Sequence, residues 1–104
     1  MPIGLRLKER WELPSNRSMD AVLYHSPSGR LTGAVLDAVD AFAALRLQGR
    51  LVTLEVIGLR RGEVRTVLQD RYRHAGELWP WVRFHRSRIE LCRYRFGRVL
   101  VPYS

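Results

Sequence analysis

Apolar residues recur every three or four positions between Leu31 and Gln48, and this spacing aligns them along one side of an α-helix. The predicted buried stripe consists of Val35, Leu36, Val39, Phe42, Ala43 and Leu47. The positions between them are small or polar and are predicted to face solvent: Asp37, Asp40, Ala41, Ala44 and Gln48. The segment therefore predicts one long helix on which the rest of the chain packs.

Both ends of this helix have residues that commonly begin or end helices. Thr32 can act as the N-cap, because its hydroxyl can accept a hydrogen bond from a free N–H of the first turn. Gly49 follows the last apolar position and suits the left-handed backbone conformation found just after many helices. Arg46 places positive charge near the negative end of the helix dipole.

The segments on both sides of the helix alternate apolar and polar residues, as β-strands do. Strands are predicted at Ile3–Leu13, Met19–Tyr24, Leu51–Ile57, Glu63–Gln69, Trp79–His85, Arg88–Phe96 and Arg98–Val101. Gly58–Gly62 and Gly97 are predicted turns, so the later strands would form antiparallel hairpins, while Asp70–Glu77 is a predicted polar connector. Residues 63–69 also have apolar side chains at helical spacing, and a helix over Gly62–Tyr72 is the alternative.

The order of these elements predicts an α+β fold, in which one long helix packs on a curved, mostly antiparallel sheet of about five to seven short strands. A chain of 104 residues suffices for one core, so residues 1–104 are predicted to form a single basic domain. The sequence has no long apolar run and no signal-peptide pattern, and Cys92 is its single cysteine. These features favour a cytoplasmic protein without a membrane partner.

Positive charge is concentrated in the second half of the chain. The whole chain has 18 Lys and Arg against 10 Asp and Glu, for a net charge of +8. Residues 1–59 contain seven basic and six acidic side chains, a net +1, whereas residues 60–104 contain eleven Arg and four acidic side chains, a net +7. A GC-rich source would explain the preference for Arg over Lys, but it would not explain this asymmetry. The charge distribution favours an anionic partner, either nucleic acid or an acidic protein surface.

The stretch Leu78–Arg98 interleaves two Trp, one Tyr and two Phe with six Arg. Unpaired bases stack on such rings while Arg neutralises phosphates, so this pattern predicts an RNA or single-stranded DNA surface. The predicted binding residues are Arg60, Arg61, Arg65, Arg71, Arg73, Arg83, Arg86, Arg88, Arg95, Trp79, Trp81 and Tyr94, with Arg60 and Arg61 at the tip of the predicted hairpin. If six arginines reach phosphates, log affinity should fall against log salt with a slope of about −4 to −5. The alternative places the rings in the core.

The sequence contains no recognisable catalytic set. A binding domain without catalysis is the first hypothesis, and an assembly subunit that docks an acidic partner, or further copies through its sheet edges, is the alternative. A small ribonuclease is the third, with Arg73, His74, His85 and Tyr94 as its candidate residues. The three His and Cys92 lack the spacing of a metal site, so neither a metal nor a cofactor is predicted.

Overall fold

The computed structural model describes residues 4–10, 20–94 and 98–102. In these ranges the chain forms an α+β fold with a five-stranded mixed sheet and four α-helices. The strands are β1 (Leu5–Arg10), β2 (Asp20–His25), β3 (Val52–Ile57), β4 (Val82–His85) and β5 (Arg98–Pro102). The helices are α1 (Gly33–Leu47), α2 (Arg61–Arg71), α3 (Ala75–Leu78) and α4 (Arg88–Tyr94), and a short 3₁₀ turn, Trp79–Trp81, precedes β4.

The sheet is largely parallel, with the strand order β1-β5-β2-β3-β4. β3 runs parallel to both β2 and β4, and β5 runs parallel to β2, while β1 alone is antiparallel to its neighbour β5. The prediction of a mostly antiparallel sheet is therefore wrong. Two parallel neighbours need a crossover connection, and here helices, instead of tight turns, connect β2 to β3 and β3 to β4.

Helices form in two segments that were predicted to be strands and in part of the predicted polar connector. The prediction of one helix and seven strands is therefore also wrong. Residues 63–69 belong to α2, as the alternative interpretation had it, because Val64 and Leu68 are one helical turn apart and both buried. Residues 88–94 form α4, and the connector 70–77 includes the start of α3. In a strand Ile89 and Leu91 would share a face, but Leu91 is fully buried and Ile89 is 70% exposed.

The remaining strand predictions are confirmed with small changes of boundary, since β2, β3 and β5 lie within one residue of their predicted ends. Only residues 82–85 of the predicted strand Trp79–His85 are extended. Of the first predicted strand, Ile3–Leu13, residues 5–10 form β1, and Ile3 and residues 11–13 lie outside the described residues. Met19, residues 95–96 and the predicted turn at Gly97 also lie outside them.

Each face of the sheet packs against different helices. α1 and α2 cover one face, where Phe42, Val64 and Leu68 join Leu54 and Val56 of β3 in the larger core cluster. On the other face Leu91 of α4 packs with Leu23, Ile57 and Val99. All six residues of β3 are buried, as expected of an interior strand covered on both sides.

Helix α1 is confirmed, although its buried surface is broader than the predicted stripe. Val35, Val39, Phe42 and Ala43 are buried as predicted, but Ala38, Ala41 and Leu45 are buried too. Leu36 and Leu47 are exposed instead, at 37% and 81%. The reason is that α1 contacts α2 as well as the sheet, which covers a second side of the helix.

The two predicted ends of α1 differ in outcome. The hydroxyl of Thr32 makes no capping bond, because it lies 3.0 Å from the hydroxyl of Tyr24 and pairs with it. Gly49 has φ +79°, and the N–H of Arg50 donates to the carbonyl of Leu45. The glycine-terminated end is thus confirmed.

Candidate nucleic-acid interface

Two arginines and two aromatic rings come together beside the edge strand β4. Arg61 and Arg65 are one turn apart on α2 and therefore share one side of the helix. Cζ of Arg61 lies 5.1 Å from the ring centre of Phe84, and Cζ of Arg65 lies 5.5 Å from the ring centre of Trp79. The two rings contact each other with centroids 5.8 Å apart and planes tilted by 49°. We refer to these four residues as the ring–arginine cluster.

The rings of this cluster are fixed by the path of the chain into β4. Side chains alternate along a strand, so Val82 and Phe84 of β4 share the face covered by α1 and α2, while Arg83 and His85 belong to the other face. Trp79, in the 3₁₀ turn just before β4, packs on the edge of the same core. Both rings are half-buried, so a ligand that stacks on them meets a surface already ordered by packing.

The guanidinium groups of the cluster are available to an anion. Arg61 and Arg65 are exposed, and within the described ranges neither has a carboxylate partner. A cation–π contact at an exposed site contributes only about 0.5–1 kcal/mol. It orients the planar group over the ring while leaving the N–H edges for a phosphate oxygen.

A second pair of the same kind lies nearby and was not predicted from the sequence. Cζ of Arg46, in the last turn of α1, lies 4.1 Å from the ring centre of Trp81. Its Nη1 is buried and has no hydrogen-bond acceptor among the described residues. Arg46 belongs to the less basic half of the chain and follows a helix pattern, so only the fold brings it to the tryptophan.

The other predicted binding residues are spread over several surfaces. Arg60 is exposed just before α2, and Arg73 is exposed just after it. The prediction that Arg60 and Arg61 lie at a hairpin tip is wrong, because β3 leads into α2. Arg83 is exposed on the opposite face of β4 from Phe84, and Arg86 and Arg88 are exposed at the start of α4. Arg95 and the side chain of Tyr94 lie outside the described part of the chain. The structure thus brings Arg61, Arg65 and Trp79 together, but not the whole predicted set.

Arg71 is occupied by an internal ion pair that connects α1 to the end of α2. Its Nε donates to Oδ1 of Asp40 at 2.9 Å, and its Nη2 pairs with Oδ2. The hydroxyl of Tyr72 donates to the same Oδ1 at 2.5 Å. Arg71 therefore contributes to packing between these helices, and its charge is already partly neutralised.

This network shifts the pKa values of all three groups. Burial alone would raise the pKa of Asp40, but the hydrogen bonds from Arg71 and Tyr72 and the charge of Arg71 outweigh it, and the pKa of Asp40 is lowered. The hydrogen bond to Asp40 raises the pKa of Arg71. Burial and the same carboxylate raise the pKa of Tyr72 to about 12.

The candidate residues of a ribonuclease lie in unlike environments. The side chain of His85 is only 7% exposed, and its Nε2 lies 2.8 Å from Oε1 of the buried Glu55. The side chain of His74 is 70% exposed, in the turn between α2 and α3 that also contains Arg73. Among the residues that the structure describes, no three His, Cys, Asp or Glu side chains could together hold a metal ion.

Comparisons of the chain with known protein families, with curated proteins and with solved structures find no match. In the described ranges, none of the helices has the length and apolarity required to cross a bilayer.

Proposed function

We propose that this protein binds RNA or single-stranded DNA, without cleaving it, through the ring–arginine cluster. The observation that carries the proposal is the order of groups in that cluster: cation, ring, ring, cation, on one surface beside β4. Single-stranded nucleic acid offers the complementary pair of features, an unpaired base beside each phosphate.

The charge of the chain supports the same partner. The second half holds a net +7, so phosphates are attracted to the region that contains α2, β4 and α4. Arg60 and Arg73, exposed at the two ends of α2, extend the positive surface along this helix. A base stacked on an aromatic side chain contributes about 1–3 kcal/mol, so two rings and a few phosphate contacts are enough for measurable affinity at low salt.

Fluorescence anisotropy with labelled single- and double-stranded oligonucleotides, over a salt series, tests the proposal. The double variant Arg61→Gln/Arg65→Gln should weaken binding and reduce the salt slope by about 1.4, since each lost contact to a single strand contributes about 0.7. The matched control Arg50→Gln/Arg93→Gln removes the same charge from the partner of Asp20 and from α4, and should have a smaller effect.

The ring contribution is tested separately. Trp79→Leu keeps an apolar side chain on the core edge but removes the stacking surface, so affinity should fall by about 5- to 100-fold while the salt slope stays unchanged. Absence of binding at low salt, binding indifferent to salt, or equal losses in the two double variants would each refute the proposal.

Docking of an acidic protein is the second candidate, because the exposed guanidiniums of Arg61 and Arg65, which have no carboxylate partner in the described ranges, suit carboxylates as well as phosphates. The edge strand β4 could also add to the sheet of a partner or of a second copy. A purified chain that binds no oligonucleotide, but binds polyglutamate with loss in Arg61→Gln/Arg65→Gln, would favour this candidate.

A further inference from the structure

A cavity of about 250 Å³ lies between the C-terminal half of α1 and residues 72–78. Its apolar walls include Ala43 and Leu47 of α1 and Leu78 of α3. Leu47 is 81% exposed, more than any other large hydrophobic side chain in the described part of the chain. A cavity of about 150 Å³ with apolar walls can hold a benzene ring, so this larger one has room for a flat heterocycle.

The polar residues around this cavity include two arginines. Arg46 lines it, with its guanidinium stacked on Trp81 and one buried N–H that has no acceptor among the described residues. Arg73 and His74 line it from the other side. Arg73, which is exposed, and the part of Arg46 that lines the cavity can pair with an anionic oxygen that enters it.

One carboxylate shares the rim but opposes an anion only weakly. Glu77 lies 4.0 Å from His74, and its side chain is 84% exposed, so solvent and salt screen its charge. The cavity therefore combines an apolar interior with two arginines at its edge, which is the chemistry of a ligand with a flat ring and an anionic group.

We propose that this cavity binds a single nucleotide unit, with the base between Leu47 and Leu78 and the phosphate against Arg46 and Arg73. The choice of a nucleotide over other ring-bearing anions rests on the proposed function. Residues 78–81 connect the two sites, because Leu78 lines the cavity, Trp79 belongs to the ring–arginine cluster and Trp81 stacks on Arg46. The two proposed sites are therefore carried by neighbouring residues of one short segment.

Isothermal titration of the full chain at low salt tests this with four probes: a 5′-mononucleotide, the matching nucleoside, inorganic phosphate and a short acidic peptide. The mononucleotide should bind at least about tenfold more tightly than the nucleoside or phosphate, because only it uses both halves of the cavity. Tryptophan fluorescence should change on binding and should lose this change in Trp81→Phe.

Variants locate the site. Arg73→Gln and Leu47→Ser alter exposed side chains, and each should weaken the mononucleotide about 5- to 30-fold, in line with one charge-assisted hydrogen bond or one apolar wall. Arg46→Met should weaken it at least as much while keeping the contact with Trp81. The matched controls Arg50→Gln and Leu36→Ser change the same residue types away from the cavity and should leave binding intact.

Four results would overturn the cavity proposal: no binding of the mononucleotide, phosphate binding as tightly as the mononucleotide, a preference for the acidic peptide, or equal effects in cavity variants and controls. Arg61→Gln/Arg65→Gln separates the two proposals, because it should weaken oligonucleotide binding and leave the mononucleotide unaffected. Mononucleotide binding without any oligonucleotide binding would support the cavity and refute the proposed function.

Discussion

Glu55 and His85 form a polar pair inside the sheet, with Oε1 of the glutamate 2.8 Å from Nε2 of the histidine. Their side chains are only 3% and 7% exposed. The second carboxylate oxygen of Glu55 is buried without a hydrogen-bond donor among the described residues. The contact with His85 therefore compensates only one of the two carboxylate oxygens of Glu55 for the water it loses on burial. Each of the two side chains loses this compensation if the other is removed.

Removing one member of this pair should destabilise the protein strongly. Glu55→Leu leaves the imidazole without its partner, and His85→Leu leaves a buried carboxyl group alone, so each should lower the free energy of unfolding by about 1–3 kcal/mol. The double variant Glu55→Leu/His85→Leu should lose less than the sum of the single losses, since neither partner is then left unpaired. Urea unfolding of all four proteins measures this, and additive losses would show that the two side chains do not interact.

A neighbouring substitution should act in the opposite direction. Thr53 precedes Glu55 by two residues on the same face of β3, and its buried hydroxyl has no partner among the described residues. Thr53→Val removes that hydroxyl with little change of shape and should raise the free energy of unfolding by about 1 kcal/mol. A lower midpoint in urea for the valine variant would mean that the hydroxyl is satisfied in solution.

Two glycines with positive φ allow a matched test of backbone contact. Gly58 has φ +92°, and a Cβ at this position would lie 2.2 Å from the carbonyl oxygen of Ser26. Gly49 has φ +79° but no atom within 4 Å of such a Cβ. Gly49→Ala should cost about 1–2 kcal/mol for the left-handed conformation alone.

Gly58→Ala has to displace the backbone of Ser26 as well. We expect it to cost about 1–3 kcal/mol more than Gly49→Ala, because overpacking adds to the conformational penalty. Thermal unfolding of the two variants, compared with the parent chain, measures the difference. Equal losses would show that the turns at residues 26–29 and 58–60 move apart without penalty.

The part of the fold that could be predicted is the part determined by neighbouring residues. The spacing of Val35, Val39 and Phe42 specifies α1, and Gly49 terminates it. The start of α4 also has a local signal, since the N–H of Glu90 donates to Oγ of Ser87 and the Glu90 carboxylate accepts from the N–H of Arg86. The Ser87-x-x-Glu90 spacing of a capping box is visible in the sequence and outweighs the apparent alternation of residues 88–94.

The candidate site was predictable only in part, because its geometry depends on the parallel crossover between β3 and β4. Charge and ring content identify Arg61, Arg65 and Trp79 as candidates. Val64 and Leu68 fit a strand as well as a helix in the sequence, and their burial against the core settles the helix. The contact between Phe84 and Arg61 depends on the position of α2 beside β4, and the sequence alone does not indicate it. The same holds for the contact between Arg46 of α1 and Trp81.

The network of Asp40, Arg71 and Tyr72 predicts a loss of stability in alkaline solution. The pKa of Tyr72 is raised to about 12 in the folded protein, whereas a tyrosine in the unfolded chain ionises near about 10. Between these values the unfolded chain releases the proton while the folded protein keeps it. The contribution of Tyr72 is therefore fully present below pH about 10 and is lost as the pH rises towards about 12.

Tyr72→Phe isolates this contribution from the other groups that titrate in the same range. At pH 8 the variant should unfold about 1 kcal/mol more easily than the parent chain, because the hydrogen bond to Asp40 is gone. This difference should shrink steadily between pH 10 and about 12, because the parent chain loses what the variant never had. Urea unfolding of both proteins at intervals across that range measures the change. A difference that stays constant up to pH about 12 would show that burial and Asp40 do not raise the pKa of Tyr72 in the folded protein.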